Sequence, residues 1–517
     1  MELKLNKEIV SVKEAIFDGM QEQSVELDYI LPDYYPEIFK LIKCQMCPKI
    51  VSYSINGDRV TYELVVQLRV MYCSEESCLL QCVNQKLSYS KTIELNKSYD
   101  NLSVVLTPKV DYVNCRVVNQ RRLDIRGAVT IKSKIYAEQK RELISDAFGL
   151  NTQLKKQCVP YASNKITATK QFIINEDIEL NMSNPPVLGI IRSDAVVLTG
   201  DKKIIANKLV SKGEAIINIL YSCEKDGQGS LEAMQFNLPY SQIIDLDGIN
   251  ESFDCIINAD VISCDVTTVA NNDGDAKTLQ CELAINLSCT ALKSSVVELV
   301  TDAYSTTHPC EFTTSPVRIE QFPSIIEAQH QVKSTVEYSD GEIDCIYDVW
   351  ANTSNINSFV NAEEQKITVS GMIKYSIMAR NEKGMPIMLE KDEAFEYVSN
   401  FNGITDSSIL EASVCILSCS YNLSSSNTVT VKADLKINGN LYSSSVMDII
   451  TDLSVDNSIK KQRDGDYAVK LYYGVEDEDI WEIAKKYSSS VSAIMEENEL
   501  TNEKLTQNGM IIIPILS

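Results

Sequence analysis

Histidine and tryptophan are nearly missing: two of each in 517 residues. So small a histidine supply leaves little for acid–base or metal chemistry. His308 and His330 lie in STTHPC and EAQHQV, with no nucleophile at a defined spacing. No G-x-S-x-G, H-E-x-x-H or phosphate-binding P-loop string is present. These gaps predict a protein that is not an enzyme and holds no cofactor. Basic residues are also short, 48 Lys and Arg against 72 Asp and Glu, for a net charge of −24 and a pI near 4.6. Such a surface repels phosphate, so nucleic acid is excluded as a partner. No apolar run reaches the roughly 18 residues of a membrane span. The opening MELKLNKEIV lacks the apolar segment of a secretion signal. A cytoplasmic protein is expected.

What remains is ordinary globular material, 44% apolar and 23% charged. At about 100–200 residues per domain, several domains are expected. The acid is uneven: net charge is 0 over 1–150, −10 over 151–330 and −14 over 331–517.

Internal repeats organise most of the chain. ELISDAF (142–148), ELVTDAY (298–304) and DIITDLS (448–454) share a closing string, with Asp146, Asp302 and Asp452 spaced by 156 and 150 residues. KLSYSKTIEL (86–95) and NLPYSQIIDL (237–246) form a second string, and AFEYVSNFNG (394–403) is a third copy with Phe395 and Tyr397 in step. PEIFKLI (36–42) and PPVLGII (185–191) open the first two units, and PSIIEAQ (323–329) is read as the third opening. Strings that recur in one order at one period mark a tandem triplication. The units are placed at 20–155, 165–310 and 315–457.

Each unit reads as β-sheet. Tyr62, Leu64, Val66, Leu68, Val70 and Tyr72 alternate mainly with polar residues, the period of a strand with one buried face. Leu279, Cys281, Leu283, Ile285 and Leu287 repeat the pattern, as do Val429, Val431, Ala433, Leu435 and Ile437. Asn56-Gly57, Asp226-Gly227, Asp273-Gly274 and Asp340-Gly341 punctuate the strands as turns. A mainly β fold of antiparallel sandwiches follows. Pro36 with Ile38, Leu41 and Ile42 at helical spacing predicts one short helix per unit. The Ser/Thr-Asp pairs of the closing strings are expected to turn or cap the chain after a strand, not to catalyse.

Sixteen cysteines are expected to be free thiols in a reducing compartment. Cys44-x-x-Cys47 has zinc-ligand spacing, and Cys73, Cys78 and Cys82 cluster, yet no second pair or histidine accompanies them. Cys115, Cys264 and Cys419 share a repeat column. Core packing accounts for these thiols, and no metal site is predicted.

The last fifty residues differ. Residues 467–473 read as a strand. Asp479 and Glu482 form a capping box for a helix with an apolar face of Ile480, Ile483, Ala484 and Tyr487. Ser490 caps a second helix bearing Val491, Ile494 and Met495, and Met510–Leu516 reads as a returning strand. The result is a small α+β (βααβ) module over 464–517. It resembles the LysM family. Asp477-Glu478-Asp479-Ile480-Trp481, Ile483-Ala484 and Tyr487 stand for its G-D-T-L-W-x-I-A-x-x-Y/F run. Asn498 and Leu500 stand for its N-x-L, and Asn508-Gly509-Met510, Ile512, Ile513 and Pro514 for its closing string. Asp477 and Ser488 replace family glycines, and Asp479 replaces the threonine. The resemblance implies a binding surface in the loops before the first helix and after the second. N-acetylglucosamine polymers, including peptidoglycan, are the family's usual ligand, but a Glu-Asp-Glu-Asp loop argues against ordinary glycan binding. Trp481 lies about 100° around the helix from Ile480, so it flanks the buried stripe. It is expected either to fill the edge of the small core or to be half-exposed, as at an interface hot spot; the second is taken as the functional reading. Asp477, Glu478, Asp479, Ile480, Trp481 and Asn508 are the candidate partner-binding residues.

Leu31-Pro32-Asp33-Tyr34-Tyr35-Pro36-Glu37-Ile38 resembles the L-P-x-x-x-P-x-I opening of SPOCS domains. SPOCS repeats followed by one LysM module resemble a family of spore-coat morphogenesis proteins from anaerobic endospore formers. The resemblance implies a scaffold in the mother-cell cytoplasm. There the LysM module would grip the coat basement layer's morphogenetic ATPase and tie it, with other coat proteins, to the forespore surface.

Overall fold

The protein is described by a computed structural model that covers residues 3–74, 79–99, 102–225, 227–270, 276–462 and 468–515. Asp226, the Asp273-Gly274 turn, Cys78, Tyr467 and Leu516 lie outside these residues.

Alternating apolar residues build three sets of antiparallel strands. The first is β1 (Lys4–Ile30), β2 (Lys40–Asn56), β3 (Arg59–Cys73), β4 (Leu80–Glu94), β5 (Leu102–Asn119) and β6 (Arg122–Phe148). The second is β7 (Thr152–Glu179), β8 (Gly189–Ile205), β9 (Lys208–Lys225), β10 (Gln228–Asp245), β11 (Asp254–Ala270) and β12 (Ala276–Ser305). The third is β13 (Cys310–Glu320), β14 (Ser324–Glu337), β15 (Ile343–Asn361), β16 (Lys366–Asn381), β17 (Pro386–Asn400), β18 (Ile409–Ser425), β19 (Thr428–Tyr442) and β20 (Ser444–Val455). The sheet orders repeat: β1-β6-β5 with β2-β3-β4, then β7-β12-β11 with β8-β9-β10. In the third set the two long strands, edge (as β1 and β7) and central (as β6 and β12), are each split in two, giving β13-β20, β14-β19-β18 and β15-β16-β17. In the first two sets one apolar core lies between the two sheets, Tyr62, Leu64 and Val66 meeting Leu123, Ile125 and Val129, and Ile217 and Ile219 meeting Leu283 and Ile285.

The three closing strings are one structural feature. β6, β12 and β20 each carry a β-bulge at Ser145, Thr301 and Thr451, and Asp146, Asp302 and Asp452 follow it in register with Asn6, Lys155 and Thr313. The aspartate carboxylate accepts the next backbone amide, Ala147 N at 2.9 Å and Ala303 N at 2.8 Å. The pair therefore sits inside a strand and accommodates an extra residue, instead of turning the chain after one.

The predicted helices at the Pro-led strings do not form. The amides of this stretch bond elsewhere: Leu31 N to Arg121 O, Ile38 N to Gln120 O and Phe39 N to Cys73 O. Tyr72 Oη donates to Pro36 O at 3.0 Å, and Tyr221 Oη does the same at Pro185. Ile38 and Val187 are buried as plugs at the core's end. The prolines also hold the residues before them extended. PSIIEAQ is not a third opening at all: Pro323 separates β13 from β14, and the equivalent connection lies between β14 and β15. Register also moves the second string by two. Tyr89, Tyr240 and Phe395 are equivalent, each five residues before the partner of the central strand's first residue. Tyr240 and Phe395 lie over Gly213 and Gly371, where a Cβ would sit 2.7 and 2.9 Å from the rings.

The three sets close on one another. Ile144, Val300 and Ile450, all two residues before the bulge aspartate, share one cluster with Ala147, Ala303 and Leu453. Leu143, Leu299 and Ile449 share another. A third joins Met71, Leu220 and Met378 on the central strands β3, β9 and β16. This contact explains why burial along β3 loses its alternation from Arg69 onward: both faces are covered there. Charged bridges complete the ring. Arg69 Nη1 and Nη2 lie 3.2 Å from Asp194, Arg192 bonds Asp348 at 2.9 Å and stacks 4.6 Å from the Trp350 ring, and Lys43 reaches Glu390 and Ser376. Desolvation would raise Asp194, but Arg69 and Arg192 outweigh it and hold the carboxyl at about 2.

The described cysteines are all free. Cys264 and Cys419 face Leu283 and Ala433 at equivalent register, and Cys115 lies two residues along, opposite Ile125. All three are partly buried, and burial pushes Cys419 up to about 12.

Candidate functional site

The C-terminal module is assembled by β21 (Val469–Gly474), α1 (Ile480–Tyr487), α2 (Val491–Glu497) and β22 (Gly509–Pro514), with β21 and β22 antiparallel. Ile480, Ile483, Ala484, Ile494, Leu505, Ile511 and Ile513 are its core. Asn498 pins helix to strand: its side chain donates to Ile494 O at 2.8 Å and Ile512 O at 2.6 Å, and accepts from Ile512 N at 2.6 Å.

The acidic loop is mostly internal architecture. Asp477 sits at φ 67°, in the left-handed region that favours glycine. Ser488, ending α1, adopts φ 52°, ψ 40°, the left-handed conformation in which helices commonly end. Glu478 accepts Tyr472 Oη at 2.6 Å and Val475 N at 3.0 Å. That charge-bearing partner pushes Tyr472 up to about 12, with burial adding to it. Asp479 caps α1 through Trp481 N at 2.8 Å, while Glu482 is exposed. Glu476 N donates to Asn508 Oδ1 at 2.7 Å, tying the two loops together.

Trp481 is not half-exposed: it keeps 7% of its surface. Its cover comes from β12. The Tyr304 ring meets the indole edge-on at 4.9 Å, and Trp481 Nε1 donates to Asp302 Oδ2 at 2.7 Å. Lys485 Nζ donates to both Asp302 oxygens at 2.7 Å. Tyr304 Oη donates to Ser489 O at 2.8 Å, and Lys155 Nζ reaches Asp479 Oδ2 at 2.7 Å. Burial tends to raise Asp479, but the Lys155 ammonium and the Trp481 amide lower it; Lys155 rises in return. Burial and the Asp302 carboxylate raise Tyr304.

Of the six candidates, Asp479 and Trp481 thus meet on the β7–β12 ribbon. Ile480 is buried in the module core, Glu478 is partly buried behind the loop, and Asp477 and Asn508 face outward. Lys155, Asp302, Tyr304 and Lys485 were missed as site residues. In the sequence Asp302 stands out as a repeat marker and a turn or cap residue, not as a binding residue, and Tyr304 is the one residue of the site beside it in the closing string. Among the described residues, no group of three His, Cys, Asp or Glu could hold a metal ion, and no helix is long and apolar enough to cross a membrane.

A family model described as SipL, SPOCS domain matches residues 37–118 and 186–269. The two matches begin at equivalent points of the first and second strand sets, just before β2 and β8. This similarity supports a SipL-like SPOCS protein with a sporulation-related, coat-associated role. No curated protein and no solved structure matches the chain.

Proposed function

We propose that the chain is a non-enzymatic scaffold for spore-coat assembly in the mother-cell cytoplasm. In this reading its LysM-like module binds the morphogenetic ATPase of the coat basement layer and localises coat to the forespore surface. The SipL SPOCS match carries the reading. The order of three strand sets followed by one βααβ module accords with it. The contact is assigned to Asp477, Glu478, Asp479, Ile480, Trp481 and Asn508. Asp477 and Asn508 form its exposed polar rim, suited to steering association more than to holding it. Trp481 supplies the apolar anchor.

The test is capture of the basement-layer ATPase by the full chain, with chitin and peptidoglycan as competing baits. The scaffold reading expects ATPase capture that weakens with salt and with Asp477→Lys. Retention on glycan without ATPase capture would favour the alternative, LysM-type binding of N-acetylglucosamine polymers, which the βααβ arrangement of the module keeps in view.

A further inference from the structure

The end of the second ribbon can be compared with its two equivalents in the same chain. Two residues beyond each bulge aspartate stand Phe148, Tyr304 and Ser454. Phe148 is 54% exposed and Ser454 is exposed, whereas Tyr304 keeps 3% of its surface because the module lies on it. Asp146 pairs with Lys156 of the next ribbon at 3.0 Å. Asp302 instead takes the indole N–H and the Lys485 ammonium. One of three equivalent ribbon ends has therefore become a seat for Trp481.

The seat is attached at few points. The module has its own core, and it meets the neighbouring strands through the Tyr304 ring, the Lys485 ammonium 5.5 Å from the Phe312 ring of β13, and a small set of polar bonds. The linking segment adds Lys461, whose Nζ bonds Ser305 O at 2.7 Å. Contacts of this number and kind sit at the low end of the stability range within a protein, where local opening is frequent. The seat also covers the indole that the proposed partner contact uses.

We propose that the Asp302–Tyr304 seat is an intramolecular latch. It holds Trp481 and Lys485 closed in the resting chain, and a partner gains the Trp481 face only when the module leaves the ribbon. The inference rests on the reading of Trp481 as a partner anchor. The partner must displace a carboxylate and an aromatic edge from the indole, so capture is a competition with Asp302 and Tyr304. Asp302 is also the residue whose loss opens the latch with least damage to the core, since Tyr304 alone belongs to the apolar cluster.

The experiment uses the full chain with Trp350→Phe, leaving Trp481 as the sole tryptophan. Acrylamide quenching and amide exchange across α1 are measured for this parent and for Asp302→Ala, Tyr304→Ala and Lys155→Ala. Removing the charge-assisted bonds of Asp302 should raise the open population roughly tenfold. Trp481 then becomes more quenchable and α1 exchanges faster. Asp146→Ala, the equivalent change at a ribbon end without the module, should leave both signals unchanged. Circular dichroism checks that each variant keeps its strands, and Lys155→Ala serves if a variant at 302 or 304 unfolds. Trp481 equally protected in all three seat variants would overturn the latch, as would an equal response to Asp146→Ala. ATPase capture by the same variants separates the two ideas. Quenching that responds while neither parent nor variant captures ATPase sinks the partner reading and leaves the latch standing.

Discussion

Replacing Arg192 with methionine tests how the three strand sets are held together. Arg192 bonds Asp194 at 2.7 Å and Asp348 at 2.9 Å and stacks on Trp350. Methionine keeps much of the apolar stem and removes the charge. Asp348, with a side chain only 15% exposed, then loses the guanidinium that faces it. Breaking a buried pair this way costs about 3–5 kcal/mol. The lower end applies because Asp348 is not fully buried and Asp194 retains Arg69. The lost cation–π contact adds about 0.5–1 kcal/mol. A loss of about 3–4 kcal/mol is therefore expected from those two contributions. Urea unfolding followed by Trp350 fluorescence, with circular dichroism in parallel, reads it. Asp348→Asn in the Arg192→Met background removes the stranded charge and should recover about 1–2 kcal/mol. If Arg192→Met costs less than about 1 kcal/mol, or if the second change adds further loss instead of recovery, the bridge does not join the sets as argued.

Ser488→Gly should stabilise the module by about 0.5–1 kcal/mol, since relief of a left-handed serine exceeds glycine's entropy cost; a lower melting temperature at Trp481 would contradict this. Asp194 supplies an acid limb. Its folded carboxyl at about 2 lies below its unfolded value near 3.8, so its stabilisation is whole above that value and lost as pH falls through 2. With 45% of that side chain exposed, the effect is held to about 1 kcal/mol or less, and Asp194→Asn should flatten the stability curve over this window. Cys158 is the exposed thiol among the described cysteines, and burial pushes Cys223 and Cys82 to about 11 and 12. Alkylation of the native chain near pH 8, followed by peptide mapping, should therefore modify Cys158 well before these two.

Much of the fold was legible because a half-buried strand writes its period directly into the sequence, and because the closing string is a bulge that every copy needs. The errors arose where pairing decides. Tyr397 looks like the match for Tyr89, but hydrogen-bond register puts Phe395 there, over a glycine too far away in sequence to suggest it. Ile38, Leu41 and Ile42 have helical spacing, yet carbonyls more than thirty residues distant, in the β5–β6 turn and at the end of β3, claim the local amides. The helical wheel put Trp481 correctly beside its stripe. It could not reveal Tyr304, which comes from a different part of the chain and completes the burial.

Tandem linkage of three copies has a consequence for stoichiometry. Three separate identical subunits closed in such a ring would each carry a tail and a seat, and would present three equal addresses. Here the copies share one chain, so their ribbon ends were free to differ: Phe148 lies open, Ser454 is small and polar, and Tyr304 is taken. The ring's contacts are already satisfied internally by Ile144, Val300 and Ile450, so it has no vacant place for a fourth copy. The molecule uses those contacts within its own chain. It brings one module, at one position, for every closed ring.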